Sequence, residues 1–380
     1  MKILIVSSYF GNVIGGALNF IIDLYDELEK RGNSVTLLLD DRYQELFSEK
    51  RFYIIWFSSV KITAYSPSLS FMKVISKIDA DVIHLHGYMS FQTDFGALIG
   101  YLRKIPVILT PHGSLLGYDY LYDSPVSKLP YRIHDVLNMK LPTKLSKYII
   151  ATSQVEFNDC IKFGITKNKV KLIPLSFTPE NYISSTKITS DKKNILFVGR
   201  IVPLKNLDIL IKSISILKKD FPNIKFTIVG DEIKGKLLGD TGYKKQLELL
   251  IKKLDLNENI NFVKWTTSNA LWKFYQKSDL FLLGSTYENF ARPLLEAAFF
   301  GIPLVSTNVG VSRDLIGNDQ GGIILQKLDE QYISEKIKIL LTNEKKYLEA
   351  SKYVKSHSDN FSIKSVVDKY EKIFQEVIKY

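Results

Sequence analysis

The strongest constraint on this chain's fold is a pattern that runs once and then restarts. Short apolar runs ending in turn residues alternate with segments of helical periodicity, first from Lys2 and again from Asn194. Lys2 to Ser8 (KILIVSS) reads as a buried strand. A loop with Gly11, Gly15 and Gly16 follows, then Leu18, Ile21, Ile22, Tyr25 and Leu28 at helical spacing. Gly32 ends that helix, and Ser34 to Leu39 is the next strand. Asp81 to Gly87, Pro106 to Ser114, Tyr148 to Ser153 and Val170 to Leu175 continue the series of strands. Asn194 to Arg200 reopens it, and strands are expected again at Lys225 to Gly230, Ile260 to Trp265, Leu280, Pro303 to Thr307 and Gly321 to Leu325. Alternation with helices of roughly 10–15 residues predicts parallel sheets covered on both faces.

The expected fold class is therefore α/β, with two Rossmann-like, doubly wound domains facing a central cleft. The first spans 1–176. The polar, aperiodic stretch 177–193 reads as a linker, and the second domain spans 194–360. Ile363, Val366, Val367, Tyr370, Ile373, Phe374 and Val377 make 361–380 an amphipathic helix, expected to pack back on the first domain. A chain of 380 residues suits two domains of ordinary size.

Charge narrows the partners. Lys and Arg number 51 against 40 Asp and Glu, a net +11 that suits polyphosphate, nucleic acid or an anionic membrane face. The basic residues form no long run and no nucleic-acid motif, so nucleic acid is not an expected partner. The lone Cys160 excludes internal disulfides and fits a reducing cytoplasm. The N-terminal apolar run is too short for a signal peptide, and no window reaches the ~18 apolar residues of a membrane span. The expected location is the cytoplasm, at the inner face of the cell membrane if one further segment is an interface. That segment is Arg51 to Ile78, which mixes aromatic and basic residues. It reads as a strand and an amphipathic helix, or alternatively as a bilayer-facing surface for a lipid-borne substrate.

Chemistry concentrates at strand ends, where open α/β sheets bind ligands. Leu280 to Glu296 (LFLLGSTYENFARPLLE) carries Glu288 on the loop after a strand and Glu296 about one turn into a helix begun near Pro293. Arg200 and Lys205, five apart after another strand, can reach one anion. His84 and His86 share a strand face, and His112 stands on the next strand, at its C-terminal end. Three imidazoles admit a zinc reading, but no carboxylate or cysteine completes the set, and no metal is expected. Glycines before a helix N-terminus, as at Gly15 and Gly16, let amides approach an anion or simply make a turn.

In order, Gly15–Gly16, His112–Gly113, Gly199–Arg200 with Lys205, Gly230–Asp231, Glu288 to Glu296, Gly310 and Gly321–Gly322 resemble the landmarks of the retaining GT-B glycosyltransferases of family 4, over almost the whole chain. The resemblance implies transfer of a sugar from a nucleoside-diphosphate sugar, UDP- or GDP-linked, to a hydroxyl of a lipid-linked or polysaccharide glycan, without a cofactor. It places Arg200 and Lys205 on the donor diphosphate, and Glu296 on the ribose. Glu288 would address the donor sugar, and His112 the sugar or leaving phosphate. Gly15, Gly16, Gly199, Phe290 and Ala291 would complete the donor site, with His86 and Gly113 on the acceptor or sugar side. Ala291 and Val311 stand where the family has glycine. Ala291 costs little if its φ stays below zero; Val311 is expected to be the costlier change, because a β-branched residue strongly disfavours φ above zero. These departures leave open a non-catalytic partner subunit with the same fold, and a sugar-nucleotide epimerase is a further alternative. A dehydrogenase is disfavoured, because the first strand is not followed by G-x-G-x-x-G.

Overall fold

The protein is described here by a computed structural model, which covers residues 1–7, 16–42, 44, 53–60, 65–121, 124–177, 193–232, 242–266 and 268–379. The side chains of 16–19, 121 and 268 are outside that description. Gly15, most of the expected linker and the ends of the loops around 51 and 61 also lie outside the described residues. The chain divides into two compact units, 1–178 with 361–380, and 179–360.

The first unit is built on strands β1 (Lys2–Ser7), β2 (Ser34–Asp40), β3 (Tyr53–Phe57), β4 (Val82–His86), β5 (Val107–Thr110), β6 (Tyr148–Ala151) and β7 (Val170–Leu172). They pair in the order β3-β2-β1-β4-β5-β6-β7, every pair parallel. The strands β1 and β4 are near-continuous apolar runs because both faces are covered: Ile3 to Val6 and Val82 to Leu85 are buried throughout. β1 lies at the reversal of strand order, so its C-terminal end opens at the switch point where α/β sheets take ligands.

The last helix, Ile363–Ile378, belongs to this unit. Its stripe of Val366, Val367, Tyr370, Ile373, Phe374 and Val377 is buried. Tyr370 and Phe374 pack on His84, with ring centroids 5.6 Å away in each case. Arg31 Nη1 adds an outer clasp, donating to Asp368 at 2.6 Å and Glu371 at 2.9 Å.

Three helices between β5 and β6, at Gly117–Leu121, Pro125–Leu137 and Leu141–Leu145, were not legible from periodicity. The middle one buries none of its residues. In the doubtful segment before β4 the strand-and-helix reading holds over the described part. Phe57, Phe71 and Ile75 are buried in the core there, and among its described large apolar residues Tyr53, Val60 and Leu69 are widely exposed.

The second unit carries strands β8 (Asn194–Val198), β9 (Lys225–Val229), β10 (Ile260–Val263), β11 (Leu280–Leu283), β12 (Leu304–Thr307) and β13 (Gly322–Leu325). Their order is β10-β9-β8-β11-β12-β13, again parallel throughout. Here the reversal falls between β8 and β11, which brings the loop after β8 beside the loop after β11. A Cβ on Gly230 would sit 1.9 Å from Gly199 O, so only glycine lets the β9 and β8 ends approach this closely. Among the described residues no helix is long and apolar enough to cross a membrane.

Candidate active site

In the second unit the site begins where β8 ends. The loop after it makes a 3-10 turn at Pro203–Lys205 and passes through a left-handed Asn206. Asn206 Nδ2 donates to Gly284 O at 2.8 Å and Thr286 Oγ1 at 2.9 Å, and Thr286 N donates to Leu204 O at 3.0 Å. These bonds lock the β8 loop to the β11 loop. They place Lys205, only 6 % exposed, so that its Nζ donates to Glu288 Oε1, which also accepts from Ser285 Oγ at 2.9 Å. Glu288 is thus a partnered carboxylate rather than a freely solvated loop charge. Arg200, by contrast, is exposed and has no ion-pair partner among the described residues.

Glu296 sits in the second turn of the helix Arg292–Phe299 and is buried. Its Oε2 accepts from Tyr275 OH at 2.7 Å and its Oε1 from Arg292 Nε at 3.1 Å. Those two donors hold the carboxylate in one orientation, and its remaining lone pairs stay able to accept from a diol. Neither Tyr275 nor Arg292 was singled out from sequence. Arg292 could have been, because it stands four residues before Glu296 on a helix. Tyr275 carried no local signal.

The two departures from glycine resolve in the opposite sense to expectation. Val311 has φ −91°, so its β-branch meets no strain. Ala291 is the residue with positive φ, at 61°, as the N-cap of the helix Arg292–Phe299. The reason is the neighbouring Gly310, at φ 52°. A Cβ there would lie 2.4 Å from Phe290 C and O, and the close approach lets Val311 N donate to Phe290 O at 2.9 Å. Phe290 is buried, and Ala291 supplies no side-chain oxygen to cap the helix amides. Gly199 lies at the end of β8, with its N–H on Val229 O at 2.9 Å.

In the first unit His112 lies two residues past β5, not on it, with φ 54°. Holding a non-glycine residue there costs about 1–2 kcal/mol. Gly113 N anchors the turn by donating to the buried Glu156 at 2.5 Å, and the same carboxylate accepts from Thr152 N and Oγ1 at 2.7 Å. Sequence reading passed over Glu156, whose signal was the Ser153-x-x-Glu156 pattern at a helix start.

The imidazoles form a buried chain. His84 Nε2 meets Thr110 Oγ1 at 2.8 Å, and His84 Nδ1 meets Tyr25 OH. Tyr25 OH meets His86 Nε2 at 2.8 Å, and His86 Nδ1 meets His112 Nε2 at 2.9 Å. Burial holds all three below the usual imidazole range, His112 at about 4, so each ring is neutral at pH 7. Their nitrogens face one another and Tyr25, and among the described residues no His, Cys, Asp or Glu group is arranged to hold a metal ion. Gly16 is described as the first residue of the helix Gly16–Lys30.

Two family models divide the chain: "Glycosyltransferase Family 4" matches residues 14–180 and "Glycosyl transferases group 1" matches 179–357. An uncharacterized 41.2 kDa protein of the Klebsiella pneumoniae cps region is 25% identical over 278 residues, 70% of this chain and 71% of that one. The Escherichia coli UDP-Gal:alpha-D-GlcNAc-diphosphoundecaprenol alpha-1,3-galactosyltransferase is 24% identical over 326 residues, 82% of this chain and 79% of that one. Among solved structures, Anabaena HepE in complex with UDP superposes with a TM-score of 0.80 at 20% identity, covering 99% of this chain and 100% of that one.

Proposed function

We propose a function from one premise: the chain belongs to the GT-B glycosyltransferases of family 4, the glycosyl transferases of group 1. The proposed reaction moves a hexosyl group, with retention, from a nucleoside-diphosphate sugar to a hydroxyl of a lipid-linked or polysaccharide glycan. The observation that carries it is the locked pair of loops after β8 and β11. They set a buried cation, an exposed cation and two oriented carboxylates on one sheet edge. The UDP complex of HepE and the diphosphoundecaprenol-linked acceptor of the E. coli relative support the two substrate classes.

Each group has a task in this reading. As the glycosidic bond breaks, negative charge grows on the leaving diphosphate, and fixed cations lower that barrier most. Arg200 is free to close on it. Lys205 has three donors, of which Glu288 takes one, so the others can serve phosphate while Glu288 turns its second oxygen to the sugar. The dipole of the helix Arg292–Phe299 adds partial positive charge at its start. Glu296, held by Tyr275 and Arg292, accepts from the ribose hydroxyls. His112 meets the sugar side. No carboxylate here is assigned as a nucleophile: the acceptor hydroxyl attacks from the leaving-group face and passes its proton to the departing phosphate.

The acceptor side includes a peripheral membrane contact in the same proposal. Val126, Leu129, Ile133, Val136 and Leu137 recur at spacings that share one face of the helix Pro125–Leu137, yet all are exposed, as are the neighbouring Met139 and Arg132. An apolar stripe with basic flanks suits the surface of an anionic bilayer. The deciding experiment measures nucleoside diphosphate released and glycan formed with UDP- and GDP-hexoses and a diphospholipid-linked acceptor. Transfer with one donor is expected; no release with any donor, or no donor-dependent rise in Tm, would overturn the reading. Flotation with anionic vesicles tests the membrane contact, and unchanged flotation of a Val126→Ser, Val136→Ser, Leu137→Ser variant would count against this helix.

A further inference from the structure

We infer that Tyr25 is a positioning residue that sets the hydrogen-bond polarity of the free ring nitrogen of His112, through His86. Each neutral imidazole owns one N–H and one lone pair, and a phenol owns one O–H. The chain Thr110–His84–Tyr25–His86–His112 therefore has two self-consistent directions. In one, Thr110 donates to His84, His84 Nδ1–H to Tyr25, Tyr25 to His86, and His86 Nδ1–H to His112 Nε2. His112 must then carry its proton on Nδ1. In the other, His112 Nε2–H donates to His86 Nδ1, His86 Nε2–H to Tyr25, Tyr25 to His84 Nδ1, and His84 Nε2–H to Thr110. His112 Nδ1 is then a bare acceptor.

Burial chooses between them. His112 Nδ1 is enclosed and has no hydrogen-bond partner among the described residues. A buried N–H without an acceptor is rarer and more costly than a buried acceptor without a donor. The second direction leaves only a lone pair unmet, so all three rings carry their proton on Nε2. Tyr25 makes this possible because its oxygen accepts from His86 while its proton goes to His84. With phenylalanine there, the acceptor that Tyr25 offers His86 Nε2 is gone, and His86 and His112 bring two N–H groups to one shared bond. The preference for a bare Nδ1 is then lost. The direction of the chain also fixes what His112 can receive: a bare nitrogen accepts from a substrate hydroxyl and repels a phosphate oxygen. That last step rests on the transferase reading; the wiring does not.

The test uses full-length protein labelled with 15N-histidine, whose five imidazoles can be assigned by single substitutions. Long-range 1H–15N spectra report the tautomer of each ring without any substrate. The expected result is Nε2–H for His84, His86 and His112, and in Tyr25→Phe a His112 population with the proton on Nδ1. An Nδ1–H His112 in the unmodified protein, or an unmoved His112 tautomer in Tyr25→Phe, overturns the inference. If Tyr25→Phe does not fold, the unmodified spectrum decides alone, supported by Thr110→Val, which should shift His112 from the far end of the chain. In turnover assays Tyr25→Phe should lower kcat about tenfold, the size of one lost hydrogen bond, with donor KM nearly unchanged. An unchanged kcat beside a shifted His112 tautomer overturns the step from ring polarity to substrate. The expected tautomers in a protein that transfers no sugar would instead sink the transferase reading and leave the wiring standing.

Discussion

Lys205 donates to Glu288 across 83 residues of chain, while Arg200, five positions before Lys205, is exposed and unpaired among the described residues. The two cations assigned to the same diphosphate therefore differ in what they do for the fold. Removing Lys205 leaves a mostly buried carboxylate without its partner, which costs about 2–4 kcal/mol by analogy with buried pairs. Removing Arg200 breaks no ion pair among the described residues. Arg200→Ala should lower UDP affinity about tenfold with Tm unchanged, whereas Lys205→Ala should lower both. Calorimetric titration with UDP and urea unfolding of both variants check this; equal stability losses would mean that the Lys205–Glu288 pair is not formed.

The loops after β11 and β12 meet at two residues of positive φ. Ala291 holds φ 61° without the freedom of glycine, and Gly310 has no room for a Cβ. Ala291→Gly should raise stability by about 0.5–1 kcal/mol, the relief of left-handed strain less the added entropy of the unfolded chain. Gly310→Ala should lower it by about 3 kcal/mol or more, because backbone rather than a flexible side chain stands in the way. Urea midpoints measure both. A neutral Gly310→Ala would show that the contact with Phe290 yields easily.

These positions also mark how far the sequence was legible. The strands and the site loops followed from period and turn chemistry, which are local. The choice between Ala291 and Val311 for the positive φ was not local. It depends on Gly310 packing against Phe290, twenty residues away in the chain. The helix Pro125–Leu137 was missed because an exposed apolar stripe interrupted by Pro130 gives no reliable core signal. Tyr25 was read as one apolar tooth of a helix; its hydroxyl matters only because β4 presents His84 and His86 to it.

The pH dependence of stability should centre on His134. Burial pulls its pKa down, but the neighbouring carboxylates outweigh this and raise it to about 9: Asp135 lies 3.6 Å from Nδ1 and Asp94 bonds Nε2 at 2.9 Å. A raised folded-state pKa stabilises fully below the unfolded value near 6.5, and the contribution is lost as pH climbs through about 9. The urea midpoint should therefore fall between pH 7 and 10, and His134→Gln should flatten that fall. A midpoint just as steep in His134→Gln would move the effect elsewhere.

The closing helix offers two kinds of attachment whose sizes can be compared. Arg31 reaches Asp368 and Glu371 from a partly exposed position, and Asp368 is 68 % exposed, so solvent screens the pair. Arg31→Ala should cost about 1 kcal/mol or less, and less again at high salt. Phe374 is fully buried against His84 and Tyr370, and truncating it leaves a cavity in a packed layer. Phe374→Ala should cost about 3–5 kcal/mol and be indifferent to salt. Burial, not the clasp of charges, is thus expected to hold the helix over His84. Urea melts at low and high salt decide it, and a larger loss in Arg31→Ala than in Phe374→Ala would reverse that order.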